Sequence, residues 1–254
     1  MKKVLLAVAG FDPSSGAGIS LDLKVFSHFG HYGLAVITSV TVQNSRKVYD
    51  YLTLPAGLVR EEYRKLKLDF RIDGIKIGML GHPKIIPVIE EIISENRRRP
   101  VVVDPVLRSS SGHCFLPGKD VRRYLRAIKG KITLITPNID EAGLIAGQNI
   151  TNLKEMEEAA RKISKLTESA CLLKGGHLRD EAYDLLYDGY RFTPLRKKKL
   201  SLEVHGTGCF LSSTILCFLA EGLLLTEACQ KASKLISRFM NSSVLISQRR
   251  LFDF

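Results

Sequence analysis

Short apolar runs rich in β-branched residues alternate with longer stretches of helical periodicity along almost the whole chain, and this alternation constrains the fold more than any other feature. Strands are expected at Val4–Val8, Ala35–Val42, Gly74–Ile77, Val101–Asp104, Thr133–Thr136 and Ala170–Lys174. Helices are expected at Ala17–His28, Glu61–Asp69, Lys84–Glu95, Lys119–Lys129, Leu153–Leu166, Phe210–Ala220 and Glu227–Ile246. Strand followed by helix, repeated, builds βαβ units, and these close into a mostly parallel sheet with helices on both faces. Glu181–Tyr187 and Tyr190–Leu195, joined at Asp188-Gly189, read as a hairpin added to that sheet. Asn152 and Glu155 have the spacing of a capping box before the helix that follows. No repeat, low-complexity linker or shift in composition divides the 254 residues, so one domain over 1–254 is expected.

In open α/β sheets ligands sit beyond the carboxyl ends of the strands, and the notable polar residues gather there. The first strand runs into Gly10-Phe11-Asp12-Pro13-Ser14-Ser15-Gly16-Ala17-Gly18, and the second ends in Gln43-Asn44. Others end in Asp104-Pro105, in Pro137-Asn138-Ile139-Asp140-Glu141, and in Lys174-Gly175-Gly176-His177. The patterns of a Walker loop, a dinucleotide-binding glycine loop and a nucleophile elbow are all missing. In their place stands His205-Gly206-Thr207-Gly208-Cys209, directly before a helix that is apolar on nearly every side. The first turn of a helix has unpaired N–H groups and partial positive charge, and flanking glycines let several of those groups converge on one spot. Gly206, Thr207 and Gly208 are therefore read as an anion hole. The helix start is expected to lower the pKa of the Cys209 thiol and favour its thiolate. Cys217 and Cys229 read as small core residues.

Composition narrows the partners. Lys and Arg number 38 against 26 Asp and Glu, a formal charge of +12, yet the basic runs at Arg97–Arg99, Arg122-Arg123, Arg196–Lys199 and Arg249-Arg250 lie at helix ends and loops without a nucleic-acid motif. Solvated faces are the expectation, with some steering of anionic small substrates. Five cysteines with no Cys-x-x-Cys pair argue against a disulfide framework or zinc knuckle and for a reducing, cytoplasmic setting. Met1-Lys2-Lys3 before Val4–Ala9 imitates a short signal peptide, but the run reads better as a buried strand feeding a glycine loop. No run is long and apolar enough to span a membrane.

The ordered set GFDPSSGAGISLDLK, VITSVTVQNS, KIGML, VDPV, ITPNIDEA, LLKGGH and HGTGC resembles the hydroxymethylpyrimidine/phosphomethylpyrimidine kinases of thiamine biosynthesis, within the ribokinase-like superfamily. The resemblance implies a ribokinase-like three-layer sandwich and ATP-dependent phosphorylation of 4-amino-5-hydroxymethyl-2-methylpyrimidine and its monophosphate. It implies that Cys209 is the catalytic base, that Lys174 reaches nucleotide phosphates, and that Asp104, Asn138 and Glu141 order Mg2+. Gly10, Asp22, Gln43, Met79 and Val106 are implied to line the pyrimidine pocket. Asn138 and Glu141 also have capping-box spacing, and Lys174 is equally compatible with a plain surface lysine. A pyridoxine/pyridoxal kinase of the same fold is the alternative; a non-catalytic pyrimidine-binding module and a redox-sensing Cys209 rank behind it. Partners are then a small molecule and ATP, with neither nucleic acid nor membrane, and a homodimer is compatible. Three places depart from the family pattern: Leu107 to His113, near the expected nucleotide site, carries an arginine and a serine run where small and apolar residues are usual, Ser45 replaces threonine, and Leu251-Phe252-Asp253-Phe254 lacks the Gly-rich, His-containing close of many relatives.

Overall fold

The computed structural model describes residues 2–44, 47–109, 112–175, 183–196, 204–246 and 249–252. Ser45, Ser110, Ser111, Gly176, His177, Glu181 and the three lysines Lys197–Lys199, all singled out from the sequence, lie outside the described residues. The strands are β1 Val4–Phe11, β2 Tyr32–Gln43, β3 Val48–Thr53, β4 Gly74–Ile77, β5 Val101–Val103, β6 Leu134–Ile135, β7 Ala170–Lys174, β8 Tyr183–Tyr187, β9 Phe192–Arg196, β10 Val244–Ile246 and β11 Arg249–Leu251. The helices are α1 Gly18–His28, α2 Ala56–Asp69, α3 Ile86–Glu95, α4 Gly118–Ile128, α5 Ile139–Ala146, α6 Leu153–Thr167, α7 Thr207–Ala220 and α8 Leu225–Asn241.

Nine strands form one sheet in the order β3-β2-β1-β4-β5-β6-β7-β8-β9. The six from β2 to β7 pair in parallel, and antiparallel strands close both edges. Parallel strands buried on both faces read as continuous apolar runs rather than alternating ones; Val101, Val102 and Val103 are all fully buried. One core lies between the sheet and α2 to α6, with Tyr63, Ile89 and Ile163 at its centre. The other lies between the sheet and α1, α7 and α8, around Phe26, Phe210 and Ile215. Strand order reverses around β1, where β2 lies on one side and β4 on the other. That reversal opens a crevice at the carboxyl ends.

Two helix boundaries bearing on the site differ from expectation, and further elements were not expected. The helix expected over Glu227–Ile246 stops at Asn241. Ser242 Oγ and Ser243 Oγ donate back to carbonyls of the last turn, at 3.4 Å to Arg238 and 2.6 Å to Met240, a local bonding that competes with further helix. Val244–Ile246 then pairs with β11 instead. The helix expected from Phe210 begins three residues earlier at Thr207, which puts Cys209 inside its first turn. α5 and β3 were not expected at all.

The β10–β11 hairpin is tied to the site. Val204 bridges Arg250, and the Phe252 ring stacks on Phe210 of α7 with centroids 4.5 Å apart. Phe252 is 6% exposed. Phe252→Ala is expected to lower stability by about 3–4 kcal/mol, the lower part of the range for emptying an aromatic core site. Urea unfolding measures this; a loss below about 0.5 kcal/mol, within ordinary surface substitutions, would show that the hairpin is not packed as described.

Candidate active site

A cavity of about 230 Å³ opens at the carboxyl ends of β1, β2, β4, β5 and β7, against the start of α7. Twelve of the thirteen residues expected at the site line it: Gly10, Gln43, Met79, Val106, Asp104, Asn138, Glu141, Lys174, Gly206, Thr207, Gly208 and Cys209. A larger cleft of about 660 Å³ lies between Lys67–Ile72 and Ser94–Arg99, at the amino ends of β4 and β5. It has no glycine cradle, and its Lys67 is engaged by Glu95 at 2.7 Å, so the chemistry is placed in the smaller cavity.

The first turn of α7 forms one wall. Gly206 is its N-cap at φ 83°, a left-handed conformation that glycine adopts without strain, and no side chain caps the turn. A Cβ on Gly206 would collide with the Gly16 carbonyl oxygen, and one on Gly16 with the His205 ring. The two glycine loops therefore touch backbone to backbone. Across that contact His205 Nε2 lies 3.3 Å from Asp12 Oδ2. Asp12 Oδ1 accepts from Ser14 N at 2.8 Å and Ser14 Oγ at 2.7 Å. Burial raises the Asp12 pKa, but the His205 and Ser14 hydrogen bonds outweigh it and hold the carboxyl below the usual range.

Facing Gly208 is an ion pair. Lys174 Nζ donates to Asp104 Oδ1 at 2.6 Å, and Thr136 Oγ1 donates to the same oxygen at 3.2 Å. A Cβ on Gly208 would stand 3.2 Å from Lys174 Nζ and 3.3 Å from Asp104 Oδ2, tighter than nearly all real contacts. Glycine thus keeps room for a group between the helix start and the pair. Asn138 and Glu141 do form a capping box at the start of α5: Glu141 N donates to Asn138 Oδ1 at 2.8 Å, and Asn138 N donates to Glu141 Oε2 at 2.9 Å. Burial pushes the Glu141 carboxyl up to about 7, with Lys174 pulling it down and Asp104 pushing it further up.

Two expectations are corrected. The Cys209 thiol is not lowered: burial pushes it up to about 11, against the pull of the Lys76 charge. Loss of water around a thiolate outweighs both the Lys76 charge and the Gly18 N–H that favour it. Asp22 does not line the cavity. α1 starts at Gly18, so Asp22 lies one turn in and points at the sheet, where it is 0% exposed. Lys76 of β4 donates to both its oxygens, at 2.9 and 2.8 Å, and Ser213 Oγ of α7 donates to Oδ1 at 2.7 Å. Burial opposes the Lys76 charge, yet the nearby carboxylates hold its ammonium above the ordinary range. Lys76, not Asp22, contributes to the cavity floor. It was missed because only one residue marks it: a lysine inside the apolar strand Gly74–Ile77. Asp12 and His205 were quoted in motifs but given no role.

A family model described as phosphomethylpyrimidine kinase matches residues 12–251. The chain belongs to the phosphomethylpyrimidine kinase family. The hydroxymethylpyrimidine/phosphomethylpyrimidine kinase of Aquifex aeolicus is 38% identical over 254 residues, covering 99% of this chain and 100% of that one. The crystal structure of phosphomethylpyrimidine kinase from Clostridium difficile superposes with a TM-score of 0.81 at 35% identity, covering 93% of this chain and 99% of that one. The pyridoxal kinase of Staphylococcus aureus, solved with AMP-PCP and pyridoxal, gives a TM-score of 0.88 at 27% identity and covers 100% of this chain and 93% of its own. The fold is thus the ribokinase-like α/β sandwich of these kinases, and the family is one of phosphotransferases that use ATP.

Removing Lys76 leaves Asp22 buried without its counter-charge. Lys76→Met is expected to cost about 3–5 kcal/mol of stability, and Lys76→Met with Asp22→Asn should recover much of it. In the single variant Asp22 can persist only protonated, so its folded pKa rises. Stability is then full below the unfolded carboxylate value and falls as pH climbs, by up to about 1.4 kcal/mol per unit. Chemical unfolding at about pH 5 and about pH 8 checks this; equal stability of the single and double variants at both would remove the pair from its structural role.

Proposed function

We propose that the protein transfers the γ-phosphoryl group of ATP to the hydroxyl of 4-amino-5-hydroxymethyl-2-methylpyrimidine, and then to the resulting monophosphate. The observation that carries this reading is the gap at Gly208, bounded by α7 N–H groups on one side and by Lys174 and Asp104 on the other, in one cavity with Gln43. Phosphoryl transfer passes through a loose transition state, so positioning and charge stabilisation do most of the work. The α7 N–H groups and Lys174 are suited to the oxygens of the transferred group. One sheet carrying all of these strand ends supports a single kinase domain over the chain.

The donors present fit Mg2+. It favours oxygen ligands and is usually held by one or two carboxylates together with substrate phosphates. Asp104 Oδ2 is turned toward the Gly208 gap while Oδ1 is engaged, and Glu141 is close enough for its carboxyl to respond to Asp104. Among the described residues there is no cluster of three or more His, Cys, Asp or Glu ligands. Asp104 and Glu141 would hold the ion, with Asn138 orienting Glu141, and the ion would supply charge neutralisation.

Cys209 lies in the first turn of α7, with the Gly18 N–H directed at its sulfur and the Lys76 charge nearby. With the thiol pushed up to about 11, it rests protonated. A neutral thiol cannot take the alcohol proton, so a base at Cys209 would act through the minor thiolate fraction, which the Lys76 charge and the Gly18 N–H favour. Cys209→Ala is expected to cut turnover on the alcohol by about 10²–10⁴. Near-normal turnover would leave only the N–H cradle.

Gln43 is assigned to substrate choice. An aminopyrimidine presents a ring-nitrogen acceptor beside an amine donor, and a primary amide presents the complementary pair. Gln43→Glu keeps the shape and removes the donor, with an expected loss of about 5- to 150-fold in kcat/KM for the pyrimidine. The close superposition on pyridoxal kinase favours a second reading, phosphorylation of pyridoxal, whose phenolic oxygen replaces that amine. A Mg-ATP panel of the pyrimidine, its monophosphate, pyridoxal and pyridoxine, run on wild type and Gln43→Glu, decides between the two. An equal loss on pyridoxal would remove Gln43 from substrate choice.

A further inference from the structure

Four lysine and arginine side chains line the cavity, and three of them already have a partner. Lys76 is held by Asp22 and Lys174 by Asp104. The Lys47 ammonium sits over the Tyr49 ring, 4.5 Å from its centroid. Arg108 has neither carboxylate nor ring partner among the described residues, and it is exposed toward the opening. An arginine left unneutralised at the wall of a cavity built for phosphate chemistry is placed to meet an anion that arrives with the reactants.

Its backbone is held. Arg108 bridges Cys114, and Phe115 N donates to the Leu107 carbonyl at 2.9 Å, so the two chains run side by side out of the site. The Tyr51 ring packs on Phe115 from β3 with centroids 5.3 Å apart, and its hydroxyl donates to the Cys114 carbonyl at 3.4 Å. Arg108 follows Val106, the wall assigned to the pyrimidine, by two residues. It lines the same cavity as Val106 and Gln43, the residues assigned to the pyrimidine, and this neighbourhood is what favours the acceptor over the nucleotide as its partner.

The two acceptors differ in charge. The alcohol is neutral and offers a guanidinium nothing to neutralise. The monophosphate brings a phosphate carrying about −1.5 to −2 charge near neutrality, by analogy with other phosphate monoesters. In the second transfer one oxygen of that phosphate forms the new bond to the γ-phosphorus of ATP. The bond from that phosphorus to the β-bridging oxygen breaks, and ADP leaves with the electron pair. The attacking oxygen is already ionised, so no proton has to be removed. What this step needs is a cation to offset repulsion between two phosphate groups.

We propose that the Arg108 guanidinium binds the phosphate of the monophosphorylated acceptor and so biases this enzyme toward the second phosphoryl transfer. The inference rests on the two-step reading above. The test is steady-state kinetics of the full chain with saturating Mg-ATP, for wild type, Arg108→Gln and Arg108→Lys, on the alcohol and on the monophosphate. The ratio of kcat/KM for monophosphate to that for alcohol is expected to fall about tenfold in Arg108→Gln, the size of one charge-assisted contact that stays partly solvated. The loss should lie in KM for the monophosphate, and Arg108→Lys should restore part of it. Calorimetric titration of the monophosphate without nucleotide should show the same order of affinities. Equal losses on both acceptors together with a raised KM for ATP would assign Arg108 to the nucleotide and overturn the proposal. An unchanged ratio would overturn it too. Failure of wild type on either acceptor is a separate result, which defeats the two-step reading before any variant is compared.

Discussion

The buried pair between Lys76 and Asp22 is the point on which the rest of the site stands. Both side chains are 0% exposed, and they join three elements: β4 through Lys76, α1 through Asp22, and α7 through the Ser213 hydroxyl on the same carboxylate. A charge in such a place is tolerated only when its partner is present and well oriented. The pair thus ties α7 to the middle of the sheet, at β4, and helps to set the direction of the N–H groups at its first turn. A hydrophobic replacement of equal volume would fill the space but would not specify that direction. The same ammonium favours a thiolate at Cys209, so the architectural tie and the reactive position share one residue.

Above that pair, the cradle is made by close approach of backbone rather than by side chains. The loop from Asp12 to Gly18 and the loop from Val204 to Gly208 meet where Gly16 and Gly206 allow no Cβ. Gly18, at φ 57°, packs in turn against the Gly10 carbonyl. Side chains enter only at the margins: His205 reaches Asp12, and Leu251 of the terminal hairpin comes within 3.1 Å of where a Gly16 Cβ would be. Donors fixed in this way need little rearrangement when charge develops, which is what makes preorganised N–H groups effective in a site with little water.

How far the sequence revealed this depends on the range of the interaction concerned. The parallel sheet, its hairpin and the helix periods came through because each is written locally in hydrophobic spacing. The capping box at Asn138 and Glu141 was equally local, although the eight-residue α5 it starts was too short to stand out by periodicity. β3 was passed over because it is an edge strand with several exposed positions and no apolar run. The end of α8 was misjudged because two serines, ordinary in composition, turn back on the last carbonyls. The largest error, placing Asp22 in the pocket, concerned a contact 54 residues apart in the chain. No periodicity encodes such a partner. A charged residue in the middle of a four-residue buried strand was the available sign that one had to exist.

The raised thiol and the Lys174–Asp104 pair have a common origin in the burial of these groups beneath the opening of the cavity, away from the exposed rim at Arg108. Any unpaired charge there would be costly, so Lys174 rests on Asp104 and the sulfur of Cys209 rests neutral. On the proposed reading, each half of the Lys174–Asp104 pair gains a better partner when reactants arrive: the ammonium a phosphate oxygen, the carboxylate a cation. The exchange separates two charges that had cancelled, and it proceeds only if both replacements come together. A lone phosphate would leave Asp104 uncompensated, and a lone cation would leave Lys174 so. On that reading the Lys174–Asp104 contact would favour a metal-bound nucleotide over either component alone, because the two charges it couples lie 2.6 Å apart.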